Sequence, residues 1–119
     1  MSAMPTATDL ADAGVLRALA DPTRLAIVRQ LAFEGQTCQC DLTACCELSQ
    51  PTVSHHMGVL RAAGLVTAER RGSWVYYALE PSALARLGAL VSGLLPIGAE
   101  AGPLGGRRLQ VLHPAPGEP

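Results

Sequence analysis

Apolar residues recur every three or four positions along much of the chain, which is the spacing of one buried face of an α-helix. The first stretch of this kind predicts a helix from Asp9 to about Ala20. Asp21 and Pro22 then provide an N-cap and a proline in the first helical position, and they predict a second helix that ends near Gly35. Two consecutive helices are therefore expected in the N-terminal part of the chain.

Three more helices are predicted farther along the chain by the same combination of periodicity and end signals. One begins around Cys40, with leucine and cysteine at helical spacing. The next is capped by Ser49 and ends at Gly64, a residue type that commonly follows a helix. Pro81 opens a last helix, on which leucine and valine form one apolar stripe.

Between the last two helices the pattern changes to runs of β-branched and aromatic residues. Residues 65–69 and 74–79 form two such runs, and Arg70 and Arg71 lie between them. We expect a β-hairpin with both arginines at its tip. The predicted fold class is mainly α with a small β-hairpin, in the order of four helices, two strands and a fifth helix.

The length of the chain suits one domain, and its two ends lack the periodicity of the middle. At 119 residues with 49% hydrophobic residues, the chain can form one modest core. Residues 1–8 and 99–119 are rich in proline, glycine and alanine, so we expect disordered tails on either side of one domain at 9–98. No apolar run is long enough to span a membrane, and the N-terminus lacks the layout of a secretory signal. A cytoplasmic protein with no membrane partner is expected.

A domain of this size has too little interior to cover the apolar faces of both its first and its last helix. Faces left over in this way commonly form the seam of a homodimer. The candidate dimerisation residues are Leu10, Leu16, Leu87, Leu90, Val91 and Leu94.

Charge is distributed unevenly, although the net charge of −1 by itself gives no support for binding nucleic acid. From Ser49 to Tyr77 the only charged side chains are Arg61, Arg70, Arg71 and Glu69, so this segment is locally positive. A weak excess of positive charge there favours contact with phosphates.

Two short helices joined by a turn, followed by a hairpin with arginines, are typical of a winged helix-turn-helix that binds double-stranded DNA. The second helix of such a unit enters the major groove, and its first turns here carry short polar side chains. The same polar residues could instead simply cap and solvate a helix. The candidate DNA-binding residues are Gln50, Thr52, Ser54, His55, Arg70 and Arg71.

Four cysteines lie within one short segment, at Cys38, Cys40, Cys45 and Cys46. Without an export signal the compartment is reducing, so thiol chemistry is expected rather than structural disulfides. Cys38 and Cys40 lie at the polar start of a helix, where two thiols have no packing role and where the helix dipole favours thiolate. Cys45 and Cys46 are expected to pack in the core on the apolar side of that helix.

Three segments together resemble the ArsR/SmtB family of metal-sensing winged-helix repressors. They are LADPTRL at 19–25, LSQPTVSHH at 48–56 and RGSWVYY at 71–77. The resemblance covers about residues 10–95. It implies a homodimer joined by its first and last helices, bound to an inverted-repeat operator and released by an inducer.

The sequence Cys-Gln-Cys-Asp-Leu at 38–42 resembles the Cys-Val-Cys-Asp-Leu motif of the arsenic and cadmium/lead sensors in that family. The resemblance implies that Cys38 and Cys40 are metal ligands. Arsenic sensors often add a third cysteine three residues on, but that position is Thr43 here, so Cys45 or Cys46 is left as a possible third ligand. The last helix lacks the ligand pairs of the zinc sensors. Two thiolates suit a two-coordinate ion such as Hg(II), or As(III) or Sb(III) with a third ligand. As(III) or Sb(III) is the expected inducer, and Hg(II), Cd(II) or Pb(II) is an alternative.

The sequence therefore predicts a metal(loid)-responsive transcriptional repressor. Two alternatives stay open: a repressor of the same fold that senses oxidants or persulfides through its thiols, and a soluble metal-buffering protein. No acid/base pair, phosphate loop or activated nucleophile indicates an enzyme.

Overall fold

The computed structural model describes residues 4–96. The chain divides into two compact units, Met1–Leu87 and Gly88–Pro119, and the last helix runs from the first unit into the second. Five helices and a hairpin occur in the predicted order, which confirms the fold class. The elements are α1 (Ala7–Leu19), α2 (Pro22–Glu34), β1 (Thr37–Cys38), α3 (Gln39–Cys46), α4 (Gln50–Ala62), β2 (Val66–Arg71), β3 (Trp74–Leu79) and α5 (Pro81–Gly93).

Side-chain caps set the first residues of the N-terminal helices. The Thr6 hydroxyl accepts the backbone N–H of Asp9, whose carboxylate accepts the backbone N–H of Thr6, so α1 begins at Ala7 rather than at Asp9. The tail expected at residues 1–8 thus overlaps the helix by two residues. Asp21 caps α2 as predicted, because its carboxylate accepts the backbone N–H of Arg24 at 2.9 Å.

The sheet has three antiparallel strands in the order β1-β3-β2, so a third strand joins the predicted hairpin. In β1, Cys38 pairs with Tyr76 of β3. The hairpin turn consists of Gly72 and Ser73 alone, and Gly72 adopts a φ of +63°, which glycine tolerates best. The expectation that the arginine pair forms the hairpin tip is wrong, because both residues lie within β2.

One hydrophobic core in the first unit takes buried residues from helices α1 to α4 and from strands β2 and β3. It includes Leu42 of α3 and Leu60 of α4, both fully buried, and Tyr77 of β3. Because α3 and α4 bury their leucines in the same core, the helix-turn-helix is held rigidly on the sheet. The other members of the core are Val15, Ala18, Ile27, Leu31, Val53, Met57, Leu65 and Val66.

The terminal helices leave large apolar side chains exposed. On α1, Leu10 is 68% and Leu16 is 45% exposed. At the end of the described chain, Val91 is 56% and Leu94 is 74% exposed, whereas Leu87 and Leu90 are half-buried. The tail predicted at 99–119 lies outside the described residues. Within residues 4–96, no helix is long and apolar enough to cross a membrane.

Candidate functional site

The turn between α3 and α4 gives the two helices the arrangement of a helix-turn-helix. Glu47 ends α3 in the left-handed conformation, with a φ of 54°, and Ser49 caps α4 by accepting the backbone N–H of Thr52. The Ser49 hydroxyl also donates to the Thr52 hydroxyl at 2.9 Å, so Thr52 contributes to the cap. Gln50 and His55 are exposed on the first turns of α4, and Ser54 beside them is exposed as well.

Arg24 of α2 fixes α4 against the first two helices. Its Nε donates to the carbonyl oxygen of Ala18 at 2.6 Å, and its Nη1 donates to His56 Nδ1 at 3.2 Å. His56 is therefore a half-buried structural residue, while His55 faces solvent. The backbone N–H of Arg24 holds the pKa of Asp21 below its ordinary value. This role of Arg24 was not predicted, although the residue lies within the LADPTRL segment.

The two arginines of β2 differ in their partners because neighbouring residues of a strand point to opposite faces of the sheet. Arg71 donates to Glu69 at 3.0 Å and to Gln36 at 2.7 Å, and its guanidinium lies 4.6 Å from the centre of the Tyr76 ring. The hydrogen bond and charge of Arg71 lower the pKa of Glu69. Arg70 is exposed and forms no ion pair within residues 4–96. Arg70 is thus the arginine whose charge is available to a ligand.

Cys38 and Cys40 lie at the junction of β1 and α3. Their sulfurs are within bonding distance and are joined as a disulfide, with Cα atoms 5.2 Å apart. Cys38 is only 5% exposed, and its sulfur caps α3 by accepting the backbone N–H of Cys40 at 3.3 Å. Cys40 is exposed. The structure thus brings the two predicted ligands together, one buried and one open to solvent.

The residue between these two cysteines links the sheet to α4. Gln39 Nε2 donates to Ser54 Oγ at 2.9 Å, and Gln39 Oε1 accepts a hydrogen bond from the Tyr77 hydroxyl at 3.3 Å. Sequence analysis missed this role, because nothing in the local pattern shows which residues the amide reaches. The only available signal was the polar side chain at a position where the resembling sensors carry valine.

A cleft of about 260 Å³ opens beside the cysteine pair, which is our term for Cys38 and Cys40. Its walls include Gln50 at the start of α4 and Ser73 and Trp74 at the hairpin turn. A ligand held by the cysteine pair would therefore border on both the helix and the hairpin expected to contact DNA.

Cys45 and Cys46, which we call the vicinal pair, lie at the other end of α3. Cys45 is exposed, so its expected place in the core is wrong, whereas Cys46 is half-buried against the core. Their sulfurs are 3.3 Å apart. Burial in the first place, and then the hydrogen bond shared with Cys45, raises the pKa of Cys46 to about 11. Within residues 4–96, no three His, Cys, Asp or Glu side chains are grouped to hold a metal, so neither vicinal thiol joins the cysteine pair in such a group.

The fold and this arrangement define a winged helix-turn-helix protein with thiols next to its recognition helix. A family model described as bacterial regulatory protein, arsR family, matches residues 21–68. A solved relative is a homodimeric winged helix-turn-helix DNA-binding domain from Mycobacterium bovis, a possible ArsR-family transcriptional regulator. It is 30% identical with a TM-score of 0.62, and the match covers 79% of this chain and 89% of that one. The chain belongs to the arsR family, which confirms the resemblance found in the sequence.

Two curated relatives carry names that refer to arsenic. The chain is 42% identical over 81 residues to the arsenic resistance transcriptional regulator ArsR1 of Pseudomonas putida, covering 68% of this chain and 63% of the relative. It is 43% identical over 67 residues to the arsenical resistance operon repressor of Escherichia coli, covering 56% of this chain and 57% of that protein. The chain thus spans about three fifths of the length of these relatives.

Proposed function

We propose that the protein is a transcriptional repressor that binds an inverted-repeat operator as a homodimer and is released when a thiophilic ion binds Cys38 and Cys40. The observation that carries the proposal is the hydrogen bond from Gln39 to Ser54, 2.9 Å long, because it connects the residue between the two cysteines to α4. The proposal places the protein in the cytoplasm, where its DNA would lie, and assigns it no enzymatic activity.

Contact with DNA is supported by the exposed face of α4 and by the hairpin β2–β3, which we call the wing. Gln50, Ser54 and His55 offer exposed donors and acceptors of the size that suits base edges in the major groove. Arg70 would contact phosphate, because its charge is not neutralised by a neighbour. Arg71 would have a weaker role, since Glu69 already engages its charge. Thr52 and Ser54 each already accept a hydrogen bond, from Ser49 and Gln39 respectively, and Thr52 would have the weaker role of the two because it is half-buried.

The homodimer is supported by the exposed apolar side chains of the two terminal helices and by the homodimeric relative from Mycobacterium bovis. Leu10, Leu16, Val91 and Leu94 would be buried in the interface, where each fully buried leucine is worth about 1.5–3 kcal/mol. Leu87 and Leu90 would flank them.

The chemistry of the donor set favours a soft inducer. Two adjacent cysteine sulfurs prefer thiophilic ions over Mg²⁺ or Ca²⁺, which select oxygen ligands. The names of the relatives from Pseudomonas putida and Escherichia coli favour arsenic among these ions. We therefore propose As(III) or Sb(III) as inducer, with Hg(II), Cd(II) and Pb(II) as the ions to compare.

The release step follows from the position of the cysteine pair. An ion shared by the two sulfurs must reposition the Cys38 sulfur, and because this sulfur caps α3, its movement shifts the start of the helix. Gln39 lies in the same turn, and its displacement removes the support of Ser54. The recognition helices of the two protomers then no longer match their half-sites. By linkage, DNA and inducer weaken each other's binding by the same factor.

The test begins by selecting operator duplexes from a randomised library with the reduced, ion-free protein. The dissociation constant of the selected duplex is then measured by fluorescence anisotropy with and without arsenite. We expect an inverted repeat and a weaker affinity with arsenite, and we expect no arsenite effect in Cys38→Ser or Cys40→Ser. Failure to select any sequence would refute DNA binding. A normal arsenite response in both serine variants would refute the ligand assignment.

A second candidate function is supported by the disulfide between Cys38 and Cys40. The Cα separation of 5.2 Å lies in the range of known disulfides, so oxidation needs little backbone movement. A hydroperoxide would oxidise the two thiols to the disulfide and be reduced to water and an alcohol, or to two waters if it is hydrogen peroxide. The protein would then be a repressor that senses oxidants, and a polysulfide could act on the same thiols. Operator release by peroxide or polysulfide in metal-free buffer, with no effect of arsenite, would favour this function.

A further inference from the structure

We propose that Cys45 and Cys46 form a second, separate binding site, which takes a trivalent arsenical bearing one organic group and two exchangeable hydroxyls. Such a compound is written R–As(OH)₂, where R is an aryl group. The proposal does not rest on the cysteine pair at the other end of α3, nor on operator release.

The vicinal pair is already arranged to share one central atom. The two sulfurs lie 3.3 Å apart, and Cys45 is exposed while Cys46 is half-buried. A bond between sulfur and a soft atom is about 2.3 Å long, as it is for zinc. Two sulfurs bound to one such atom lie about 3.3–3.8 Å apart when the angle between the two bonds is about 90–110°. The pair therefore needs little movement to chelate one atom.

The number of thiols selects the type of arsenical. Within the described part of the chain, no group of three ligating side chains includes the vicinal pair. Inorganic arsenite has three exchangeable hydroxyls and would keep one of them here. A compound with one As–C bond has two, so two thiols complete its coordination.

The organic group has a place beside the thiols. An open depression of about 850 Å³ borders the vicinal pair, and its walls combine apolar side chains such as Phe33 and Leu48 with the polar Arg29 and Gln30. Phe33 is 86% exposed, so its ring is available for contact with a ligand. An aryl group on arsenic would reach this apolar surface, where an aromatic contact adds to area burial. The depression has room for such a group, since binding pockets for small molecules measure about 300–1,000 Å³.

The exchange is balanced without any change of oxidation state. Two As–O bonds break and two As–S bonds form, and each thiol proton leaves with a hydroxide as water. Arsenic stays trivalent, and no oxidant or reductant is needed.

The experiment uses the reduced full-length protein and phenylarsine oxide, which hydrates to the aryl compound. Native mass spectrometry and thiol titration count the adducts after an excess of glutathione has removed arsenic bound to single thiols. The Cys38→Ser/Cys40→Ser double variant should retain one arsenical per chain and lose two titratable thiols. No glutathione-resistant adduct on this variant, when circular dichroism shows it folded, would overturn the proposal.

Single exposed substitutions keep the test valid if that double variant fails to fold. Cys45→Ser should lower the number of glutathione-resistant arsenicals per chain by one relative to the unmodified protein, and an unchanged number would overturn the proposal. Phe33→Ala should weaken the binding of phenylarsonous acid by about two- to tenfold without changing the affinity for methylarsonous acid. An equal effect on the affinities for the two compounds would refute the contact between the aryl group and Phe33. None of these results depends on operator release, so failure here is distinguishable from failure of the proposed repressor function.

Discussion

Replacing Gln39 with alanine should reduce the response of operator binding to arsenite while leaving both thiols of the cysteine pair in place. The amide donates to Ser54 Oγ at 2.9 Å and accepts from the Tyr77 hydroxyl at 3.3 Å. Gln39 is half-buried and is not part of the hydrophobic core, so its truncation creates no cavity there. The change therefore removes the hydrogen bonds to Ser54 and Tyr77 and leaves the core packing of α3 on α4 in place.

The size of the effect follows from these bonds. A neutral hydrogen bond contributes about 0.5–1.5 kcal/mol net, and the bond to Ser54 is exposed, which favours about 0.5–1 kcal/mol. A homodimer has two such bonds, so the coupling lost is about 1–2 kcal/mol. This corresponds to about a 5- to 30-fold smaller ratio between the operator dissociation constants with and without arsenite. The loss appears in the ion-free state, because Ser54 has then lost its support before any ion binds.

The assay is anisotropy titration of the selected operator at fixed salt, with arsenite binding measured in parallel by thiol absorption. Gln36→Ala is the matched control, because its amide contacts Glu69 and Arg71 in the wing rather than α4. This control should keep the ratio of the unmodified protein. If Gln39→Ala binds arsenite normally and also keeps the full ratio, the path through Gln39 is refuted.

Three further predictions concern caps and thiols. Asp21→Ala should lower the free energy of unfolding at neutral pH, because it removes the cap of α2. The pKa of Asp21 is lower in the folded protein than in the unfolded chain, where it is about 3.9. The stability that the Asp21 carboxylate contributes is therefore present above about pH 3.9 and is lost as the pH falls through the folded-state pKa, so the two proteins should become equally stable in acid. Chemical denaturation across pH checks this. Iodoacetamide at pH 8 should alkylate Cys46 up to about a hundredfold more slowly than an ordinary thiol, because the pKa of Cys46 is raised from 9.0 to about 11. Peptide mass spectrometry measures the alkylation rate. A rate equal to that of an ordinary thiol would contradict the raised pKa. Cys38→Ser should stay capped and be about 0.5–2 kcal/mol more stable than Cys38→Ala, and neither should respond to arsenite; equal melting temperatures would show that the Cys38 cap contributes nothing.

The helices could be predicted from sequence because their determinants are local. Asp21, Pro22 and Ser49 are cap signals that act within one turn, and they place the starts of α2 and α4 correctly. The strand β1 could not be predicted, because two residues show no periodicity and Thr37 and Cys38 become a strand only by pairing with β3.

The candidate site was predictable to the level of residue type and no further. The spacing of Cys38 and Cys40 at a helix start indicated the ligand pair, but a side-chain bridge such as Gln39 to Ser54 spans 15 residues and depends on how α3 packs on α4. The wrong prediction that Cys45 lies in the core has a similar cause. Since α3 has only eight residues and one fully buried side chain, Leu42, its apolar face is too narrow for periodicity to decide which neighbours are covered.

The Cys38 sulfur has two roles, and this makes the junction of β1 and α3 suitable as a switch. It accepts the backbone N–H of Cys40 as the cap of α3, and it is one of the two proposed ligands. Cys40 is exposed and would capture an ion first, whereas Cys38 is buried and must shift together with the first turn of α3 before it joins. Binding through both sulfurs therefore weakens the start of α3, while binding through Cys40 alone leaves the cap intact. An ion that accepts a single thiolate should occupy the protein without releasing DNA, so release would select for ions that require two.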